Sequence, residues 1–436
     1  MGSWLNRDCG LSNPVPGGAA VSADGDPLPP PACTGGEHSV PRHAPSRRRF
    51  LASATALAGA PAFARQVPQR AVVVMCDGFG MPYLDQSDLP VLSRWRRSGF
   101  FKQVEDTMPS VTNTNNATIC CGVWPEKHGI TGNSYLDERT GREEYMESAD
   151  LLLAPTLFER ARKQGVKSAL LSSKKKTIAL LSAGTDLTLT AETPGEEWVK
   201  RFGPAPDIYS GEINHWLATA LVDLLKERRD LGCIYIHTTD YPMHMWPPEA
   251  RESRQHLARL DQLLGEATAA APDAMFLLTA DHGMNHKTRC WDLDKACAAR
   301  GTPIRIAIAV EKDKYPKHHR GYGGIAWVYC KTPRDCDRVA GVISAIPGVE
   351  AVLTRSEAAK RFHLMPSRIG DLVVLGDRDT VFGEMDTESE TLPAEYRSHG
   401  SLYERDIPLF IYNAAAKLSA GDFQSNRDLA RWLYTG

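Results

Sequence analysis

The sequence has no strong excess charge, no cysteines at metal-binding spacing and no long apolar run. Its 436 residues carry a formal net charge of −2, so no broad positive field exists to attract a nucleic acid or another polyanion. No Cys-x-x-Cys pair occurs among the ten cysteines, and we therefore assign no metal to the sulfur atoms. After residue 65 no internal repeat or low-complexity tract is visible. What remains is the composition of an ordinary globular protein, 42% hydrophobic and 24% charged.

The first 64 residues differ in composition from the rest of the chain. Residues 1–45 are rich in Pro, Gly and Ala without periodic apolar positions, so we expect them to be disordered. SRRRFL at 46–51 matches the twin-arginine export signal, and an alanine-rich stretch with a small-x-small cleavage site follows. The apolar part, 51–60, is too short to span a bilayer. The sequence thus predicts a leader over 1–64 and an exported protein, periplasmic or extracellular. The alternative is a basic start of a short alanine helix.

Short apolar runs alternate with amphipathic segments along the rest of the chain. Such runs are typical of buried parallel strands, and the segments between them have helical periodicity. Strand alternating with helix predicts an α/β fold with a mostly parallel central sheet and helices on both faces. We expect one catalytic domain over 65–436, with an inserted α/β cap lobe from about 294 to 395, where the pattern changes. The predicted strands are AVVVMC (71–76), SALLSS (168–173), CIYIHT (233–238), MFLLTA (275–280), IAWVYC (325–330) and DLVVLG (371–376).

Acidic residues lie just past the ends of three of these strands. Asp77 comes after the first strand, Asp240 after the third and Asp281 after the fourth. In open α/β sheets ligands bind at the carboxyl ends of the strands, so we expect these carboxylates to lie close together. His244 lies four residues after Asp240, on the same face if the segment is helical, and His282 follows Asp281. One such aspartate is usually a turn or helix-cap residue. Three of them, two accompanied by histidine, favour a metal site.

Aspartate and histidine donors without thiolates suit a catalytic metal site that holds zinc or manganese. A third histidine, His399, lies far along the chain in a Gly/Ser turn. Two such sets close together would form a two-metal clamp for phosphoryl displacement. The segment from Thr112 to Thr118 holds three threonines and three asparagines. A metal could activate one of its hydroxyls, and a helix start there could bind an anion, although caps and turns explain the same residue types.

Six segments carry these residues, namely VVVMCDGFG, PSVTNTNN, GVWPEKHGITGN, TTDYPMH, TADHGMN and RSHGS. In this order they resemble the alkaline phosphatase superfamily, on the branch that holds nucleotide pyrophosphatases/phosphodiesterases and phosphonoacetate hydrolases. The resemblance covers about residues 70–412, which is nearly all of the chain after the leader. It implies an alkaline phosphatase-like fold with two bound zinc ions, for which manganese or iron are alternatives.

The resemblance also implies roles for single residues. Thr112 corresponds to the nucleophile that takes the phosphoryl group, and it would also contact a metal. Asn133, twenty-one residues later, matches the amide that holds a phosphoryl oxygen in this branch. The two zinc ions would be bound by Asp77, Thr112, Asp281 and His282, and by Asp240, His244 and His399. A helix cap for Thr112 and a turn residue for Asn133 are the structural alternatives.

Two features resemble the phosphonoacetate hydrolases in particular. TNTNN is closer to their TNPNN pattern than to the TKTFPNH pattern of nucleotide pyrophosphatases, with Thr114 in place of the proline. Lys174 and Lys176 match a Lys-x-Lys pair that binds the substrate carboxylate, and they would point the same way if the segment is extended. The alternative for the pair is a solvated basic turn.

The resemblance therefore implies cleavage of the carbon–phosphorus bond of phosphonoacetate, to acetate and phosphate, through a phospho-threonine at a two-zinc site. One alternative is a phosphodiesterase or nucleotide pyrophosphatase with the same metals, and another is a non-catalytic metal- or phosphate-binding relative. The partner would be a small phosphonate or phosphate ester, not a nucleic acid. No membrane span is expected after the leader, and a homodimer is left open.

Overall fold

A computed structural model describes residues 70–435. The leader predicted over 1–64, with its twin-arginine signal, lies outside the described residues, and export stays a prediction. Among residues 70–435 no helix combines the length and the apolar character needed to cross a bilayer.

Strands and helices alternate along most of the described chain. The strands are β1 (Ala71–Met75), β2 (Phe100–Glu105), β3 (Ser134–Asp137), β4 (Arg142–Tyr145), β5 (Lys167–Ser172), β6 (Leu187–Thr190), β7 (Leu231–His237), β8 (Met275–Thr279), β9 (Asn285–His286), β10 (Arg289–Trp291), β11 (Ile306–Ala309), β12 (Ile325–Tyr329), β13 (Val349–Thr354), β14 (Leu372–Gly376), β15 (Thr380–Phe382), β16 (Ser389–Thr391), β17 (Arg397–Ser398) and β18 (Asp406–Tyr412). The α-helices are α1 (Met81–Asp85), α2 (Pro90–Ser98), α3 (Thr112–Cys121), α4 (Pro125–His128), α5 (Leu157–Lys163), α6 (Lys175–Leu181), α7 (Glu196–Phe202), α8 (Glu212–Glu227), α9 (Tyr241–Met245), α10 (Arg251–Ala270), α11 (Leu293–Ala299), α12 (Pro316–His319), α13 (Cys336–Ser344) and α14 (Arg355–Phe362). All six predicted strands are present, with ends within two residues of those expected.

A seven-stranded sheet in the order β2-β18-β8-β1-β7-β5-β6 forms the centre of the fold. The neighbours β8, β1, β7, β5 and β6 are parallel, whereas β18 pairs antiparallel with both β8 and β2. Strands β1, β7 and β8 are buried along their whole length, as expected for continuous apolar runs in a parallel sheet. The predicted α/β fold with a mostly parallel central sheet is confirmed.

Helices cover both faces of this sheet. Successive side chains of a strand point to opposite faces, so Tyr235 and Ile236 of β7 contact the helices on opposite faces of the sheet. Ile236 lies beside Leu221 of α8 and Leu260 of α10 around a small apolar cavity. Tyr235 instead contacts Phe158 of α5, with ring centroids 6.3 Å apart. Because helices shield both faces, the edge formed by the strand ends is the place for a polar site.

The carboxyl ends of β8, β1 and β7 lie side by side, with β1 in the middle. The last residues of the three strands are in register. Asp77, Asp240 and Asp281 follow these last residues by two or three positions. Since the three strands are parallel, all three aspartates emerge at the same edge of the sheet, as predicted.

A second, four-stranded antiparallel sheet in the order β11-β12-β14-β13 forms later in the chain. Separate apolar clusters pack around its strands. The sheet spans residues 306–376, within the region where an inserted lobe was predicted. The lobe boundaries at about 294 and 395 stay a prediction. The loop after β11 returns toward the central sheet and contributes to the site described next.

Candidate active site

Asp77, Asp281 and His282 form a first buried cluster at the ends of β1 and β8. The Nε2 atom of His282 lies 3.5 Å from Asp77 Oδ1 and 3.3 Å from Asp281 Oδ2. These three atoms have no hydrogen-bond partner, although all three side chains are fully buried. Three ligands of one zinc ion, each at 2.0–2.1 Å in a tetrahedral arrangement, would be about 3.3 Å apart. The three residues therefore fit a divalent metal ion.

Asp240, His244 and His399 form a second buried cluster. Asp240 is the N-cap of α9, so that His244, four residues later, lies one helical turn further along. His244 Nε2 lies 2.9 Å from Asp240 Oδ2, and His399 Nε2 lies 3.7 Å from the same oxygen. The helical turn expected for this segment is present, and His399 joins the pair from the end of β17.

The two clusters are adjacent. The rings of His282 and His399, one from each cluster, are stacked with centroids 3.5 Å apart and an interplanar angle of 13°. Ligand atoms of Asp240, His282 and His399 also lie within 4.8 Å of one another. All six predicted Asp/His ligands thus belong to one buried group, which is the arrangement that a two-metal clamp requires.

The three histidines present the same ring nitrogen to the site. Each Nδ1 bonds to a backbone carbonyl, from His244 to Arg397 (2.9 Å), from His282 to Gly283 (2.8 Å) and from His399 to Ser110 (2.6 Å). A carbonyl can only accept, so Nδ1 carries a proton, and in the neutral ring Nε2 presents a lone pair. Burial lowers the pKa of His282 and of His399, which favours the neutral form of both rings. Lone pairs facing carboxylate oxygens are favourable only with a cation or a proton between them, and a backbone carbonyl on Nδ1 is a usual partner of a metal-binding histidine.

Lys174 places its ammonium group between the two clusters. Its Nζ lies 2.8 Å from Asp77 Oδ2 and 2.7 Å from Asp240 Oδ1. Burial would lower the pKa of Lys174, but the carboxylates of Asp240 and Asp77 outweigh burial and raise it well above its ordinary value. Burial, together with the neighbouring charge of Asp77, raises the pKa of Asp281 well above its usual range. The carboxylates outnumber this ammonium group, so the site favours additional positive charge.

The Lys174–Lys176 segment begins a helix rather than being extended, so the condition under which the spacing would place both side chains on one side is not met. The Ser172 hydroxyl accepts from the Lys174 amide (3.1 Å) and donates to the Lys174 carbonyl (2.9 Å), which turns the chain so that α6 begins at Lys175. Lys174 is the N-cap and Lys176 lies in the first turn. Both ammonium groups nevertheless lie near the same aromatic ring, 6.0 and 5.4 Å from the centroid of Tyr315.

Several further buried residues lie next to the predicted ones and were not assigned from the sequence. His237 Nε2 lies 3.1 Å from Asp77 Oδ2, and Glu311 Oε1 lies 3.1 Å from His399 Nε2. The Asp313 carboxylate binds the Lys176 ammonium group, and His319 Nε2 lies 3.4 Å from Asp313 Oδ1. A histidine inside the apolar run CIYIHT was an available signal for His237. The acidic pair in the charged segment EKDK gave no comparable signal.

Thr112 is buried and begins α3. The chain around it is attached to both clusters. Ser110 accepts the hydrogen bond from His399, and the Asn116 side chain lies 3.4 Å from His237 Nε2, which in turn contacts Asp77. The start of α3, with its positive dipole end, is therefore held at the metal-site edge of the sheet.

Asn133 is buried against the start of α3. Its Oδ1 accepts from the Asn113 amide (3.0 Å), and its Nδ2 donates to the Glu311 carbonyl (2.9 Å). Both contacts fix the orientation of the side-chain amide, because a backbone N–H must donate and a carbonyl must accept. The second Nδ2 hydrogen is available to a ligand. The structure thus places the Asn133 side chain beside the start of α3.

Zinc is expected to stabilise the metal-free protein against thermal unfolding. An ion that binds only the folded state adds about 4 kcal/mol at a free concentration 1,000 times its dissociation constant. The measurement is thermal unfolding of chelator-treated protein with and without added zinc. Asp281→Asn should lose much of the increment, because an NH2 group replaces the carboxylate oxygen Oδ2. Its Oδ1 can still accept from the Gly78 and His282 amides, so the local hydrogen bonds are kept. The exposed Asp88→Asn should retain it. Equal increments in both variants would exclude Asp281 as a ligand.

Comparison with known proteins by sequence gives a family and several relatives. The family model for type I phosphodiesterase / nucleotide pyrophosphatase matches residues 71–402. Bis(5'-adenosyl)-triphosphatase ENPP4 of Bos taurus is 25% identical over 239 residues, covering 52% of this chain and 50% of that protein. The chain spans about half the length of this relative and of its Mus musculus counterpart.

Comparison with solved structures extends over more of the chain. Phosphonoacetate hydrolase from Sinorhizobium meliloti 1021, in complex with phosphonoacetate, is 29% identical with a TM-score of 0.77, covering 84% of this chain and 96% of that one. Murine ectonucleotide pyrophosphatase / phosphodiesterase 5 is 16% identical with a TM-score of 0.60, covering 79% of this chain and 88% of that one, and it shares the fold alone. The resemblance to this branch of the alkaline phosphatase superfamily is confirmed.

Proposed function

Because the chain belongs to the type I phosphodiesterase / nucleotide pyrophosphatase family, we propose that it is a metal-dependent hydrolase that cleaves the carbon–phosphorus bond of phosphonoacetate. The observation that carries this proposal is the Lys174 ammonium group, buried between two Asp/His clusters and in contact with an aspartate of each. A positive group in that position suits a substrate that has a carboxylate next to its phosphoryl group. The 29% identity to a phosphonoacetate hydrolase supports the same choice.

The residues present fit two divalent cations, preferably zinc, with manganese or iron as alternatives. The proposed ligands are Asp77, Asp281, His282 and the Thr112 hydroxyl for one ion, and Asp240, His244 and His399 for the other. When bound, such ions supply Lewis acidity that lowers the pKa of an alcohol and neutralises phosphoryl charge. The unpartnered buried atoms of the first cluster are the structural support for this assignment.

Thr112 is the proposed nucleophile. Its hydroxyl would give up its proton to water as its oxygen forms a bond to phosphorus and the phosphorus–carbon bond breaks on the opposite side, giving a phospho-threonine that water then hydrolyses to free phosphate. The start of α3 favours the anionic phosphonate through its dipole and its backbone amides. Asn133 would donate its second Nδ2 hydrogen to a phosphoryl oxygen. These groups bind and orient the phosphoryl half of the substrate.

Lys174 and Lys176 are proposed to act on the leaving group. A carbanion is a poor leaving group, so the electron pair of the broken bond must spread into the adjacent carboxylate as an enolate. Two ammonium groups beside that carboxylate stabilise this charge more in the transition state than in the substrate. Protonation at carbon then gives acetate. Lys174 is held for this role by Asp77 and Asp240, and Lys176 is held by Asp313.

A second candidate function is phosphodiester or nucleotide pyrophosphate hydrolysis at the same site, which the family match favours. Aromatic rings next to the second cluster could stack on a nucleobase. Tyr209, Tyr241 and Tyr315 surround His318 with ring centroids 5.3–5.5 Å away, and His318 lies 3.7 Å from Asp240. In this alternative the lysines would pair with protein carboxylates only.

The deciding experiment is a substrate panel on metal-replete protein, with phosphonoacetate, a nitrophenyl phosphodiester and a dinucleotide. We expect phosphonoacetate to give acetate and phosphate in equal amounts with the highest kcat/KM, and a chelator to abolish the reaction. Turnover of the diester or dinucleotide without phosphonoacetate cleavage would establish the second candidate. Zinc binding without turnover of any of the three would favour a non-catalytic relative.

We also propose that the enzyme acts outside the cytoplasm, because of the twin-arginine pattern at 46–51. Its substrate would then be a phosphonate in the periplasm or the surroundings of the cell. Fractionation of cells expressing the full chain, compared with a variant in which the arginine pair is replaced by lysine, tests this proposal.

A further inference from the structure

Glu311 is a fully buried carboxylate next to the second cluster, and the chemistry proposed for Thr112 and the lysines does not use it. It lies two residues after β11, at the end of a strand of the second sheet. Its Oε1 atom is 3.1 Å from the Nε2 atom of His399. Ligand atoms of His244, Glu311 and His399 all lie within 4.8 Å of one another.

The orientation of His399 shows which side of its ring Glu311 occupies. The Nδ1 atom of His399 donates to the Ser110 carbonyl at 2.6 Å, so the ring already has the outer partner that metal-binding histidines usually have. Its Nε2 atom therefore presents a lone pair. Because two acceptors repel each other, a carboxylate oxygen 3.1 Å from this lone pair requires a cation or a proton between them. Glu311 faces the point at which His399 would hold its ion.

The surroundings of Glu311 contain little permanent positive charge. The Ser398 hydroxyl lies 3.1 Å from each of its carboxylate oxygens. His319 Nδ1 is 3.7 Å away, but that nitrogen accepts a hydrogen bond from the Gly321 amide and so carries no proton of its own in the neutral ring. Over residues 70–435, the ion pairs of Glu311 involve histidines only, not lysine or arginine. A buried carboxylate is costly unless it is paired or binds a metal.

We infer that Glu311 is a fourth protein ligand of the divalent cation held by Asp240, His244 and His399, an inference that rests on the proposed metal-dependent function. The ion then has two carboxylate and two imidazole ligands, whereas catalytic zinc sites typically have three protein ligands and an open position. Substrate would bind as a fifth ligand or in place of Glu311. Extra carboxylate oxygen also widens the set of suitable ions toward manganese. Because Glu311 comes from the second sheet, the ion would link this sheet to the central one.

The test is Glu311→Gln, which keeps the size of the side chain and an acceptor for Ser398 but removes the negative charge. Zinc is titrated into metal-free protein in competition with a chromophoric chelator, which gives one dissociation constant for each of the two ions. We expect the affinity for one zinc ion to fall by about 10- to 100-fold or more, the range for losing a group that supports a metal site. The affinity for the other ion should change little.

A matched control is Glu143→Gln, a mostly buried carboxylate that pairs with Lys312, the residue after Glu311. This change should leave both zinc affinities at the wild-type values. Circular dichroism and thermal unfolding of the metal-free variants show whether each is folded. If Glu311→Gln is unfolded, Glu311→Asp decides, because it keeps the charge but withdraws it by one methylene group. Weaker binding of one zinc ion by Glu311→Asp supports the inference, and unchanged binding of both contradicts it.

The possible results separate the two proposals. If the wild-type protein binds fewer than two zinc ions, the two-metal function fails independently of Glu311. If the wild type binds two and folded Glu311→Gln binds both with unchanged affinity, Glu311 is not a ligand and only this inference is overturned. If both affinities fall equally, the effect is one of general stability, which also contradicts the assignment.

Discussion

Replacing Thr112 by alanine is expected to abolish turnover of phosphonoacetate and of phosphodiesters alike. The hydroxyl is the group that would bond to phosphorus, and none of the Asp/His ligands can replace it. Loss of a covalent nucleophile typically lowers kcat by several orders of magnitude, and we expect about 10,000-fold or more. Zinc binding by the six Asp/His ligands should remain, because only one contact of the first ion is lost. Steady-state kinetics and a zinc titration on the same preparation measure both quantities.

Thr114→Ala is the matched control. Thr114 lies two residues later in the same helix, is fully buried, and has a hydroxyl without a hydrogen-bond partner. The change should alter kcat little, since no hydrogen bond is lost, while loss of the buried methyl group should cost about 1 kcal/mol of stability. Thr112→Ser should retain substantial activity, because it keeps the hydroxyl. Acid quenching during turnover, followed by peptide mass spectrometry, should locate a phosphoryl group on residue 112. Wild-type turnover by Thr112→Ala would refute the nucleophile assignment and the phospho-threonine intermediate with it.

Five of the six proposed Asp/His ligands have local signals in the sequence. Each aspartate follows a continuous apolar run, and such runs fix the strands and therefore the strand ends. His244 and His282 are within four residues of an aspartate. His399 has no aspartate within four residues, and only the resemblance of its RSHGS segment to a known family indicated it. The parallel order of β8, β1 and β7 then brings residues from distant parts of the chain to one edge.

The contribution of the second sheet could not be found in the same way. Glu311 and Asp313 lie in the segment EKDK, whose alternating charges are typical of a solvated loop. They are buried only because the loop after β11 meets the central sheet, and such a long-range contact leaves no local pattern. Lys174 and Lys176 were identified by their spacing, but the bend at Ser172 that starts α6 was not foreseen. The proposed ligands therefore had signals in the sequence, whereas the buried counter-charges around them had none.

Lys176→Ala and Lys174→Ala are expected to remove carbon–phosphorus cleavage while sparing hydrolysis of an activated aryl phosphate ester. The aryl ester has a stable leaving group and needs no enolate stabilisation. Loss of one such donor typically costs about 3 kcal/mol of transition-state stabilisation, or about 100-fold in rate. The measured quantity is the ratio of kcat/KM for phosphonoacetate to kcat/KM for the aryl ester. It should fall by about 100-fold in each variant.

The ratio separates a role on the substrate from a role in folding. Lys176→Ala leaves the buried Asp313 carboxylate without its ammonium partner, and Lys174→Ala does the same for Asp77 and Asp240. The loss of these buried ion pairs destabilises the protein. A smaller folded fraction lowers both activities by the same factor and leaves the ratio unchanged. Lys175→Ala, an exposed lysine between the other two, is the control and should leave the ratio at the wild-type value. If both substrates lose the same activity in both buried variants, the lysines serve only to neutralise protein carboxylates. The site would then be better suited to an ester than to phosphonoacetate.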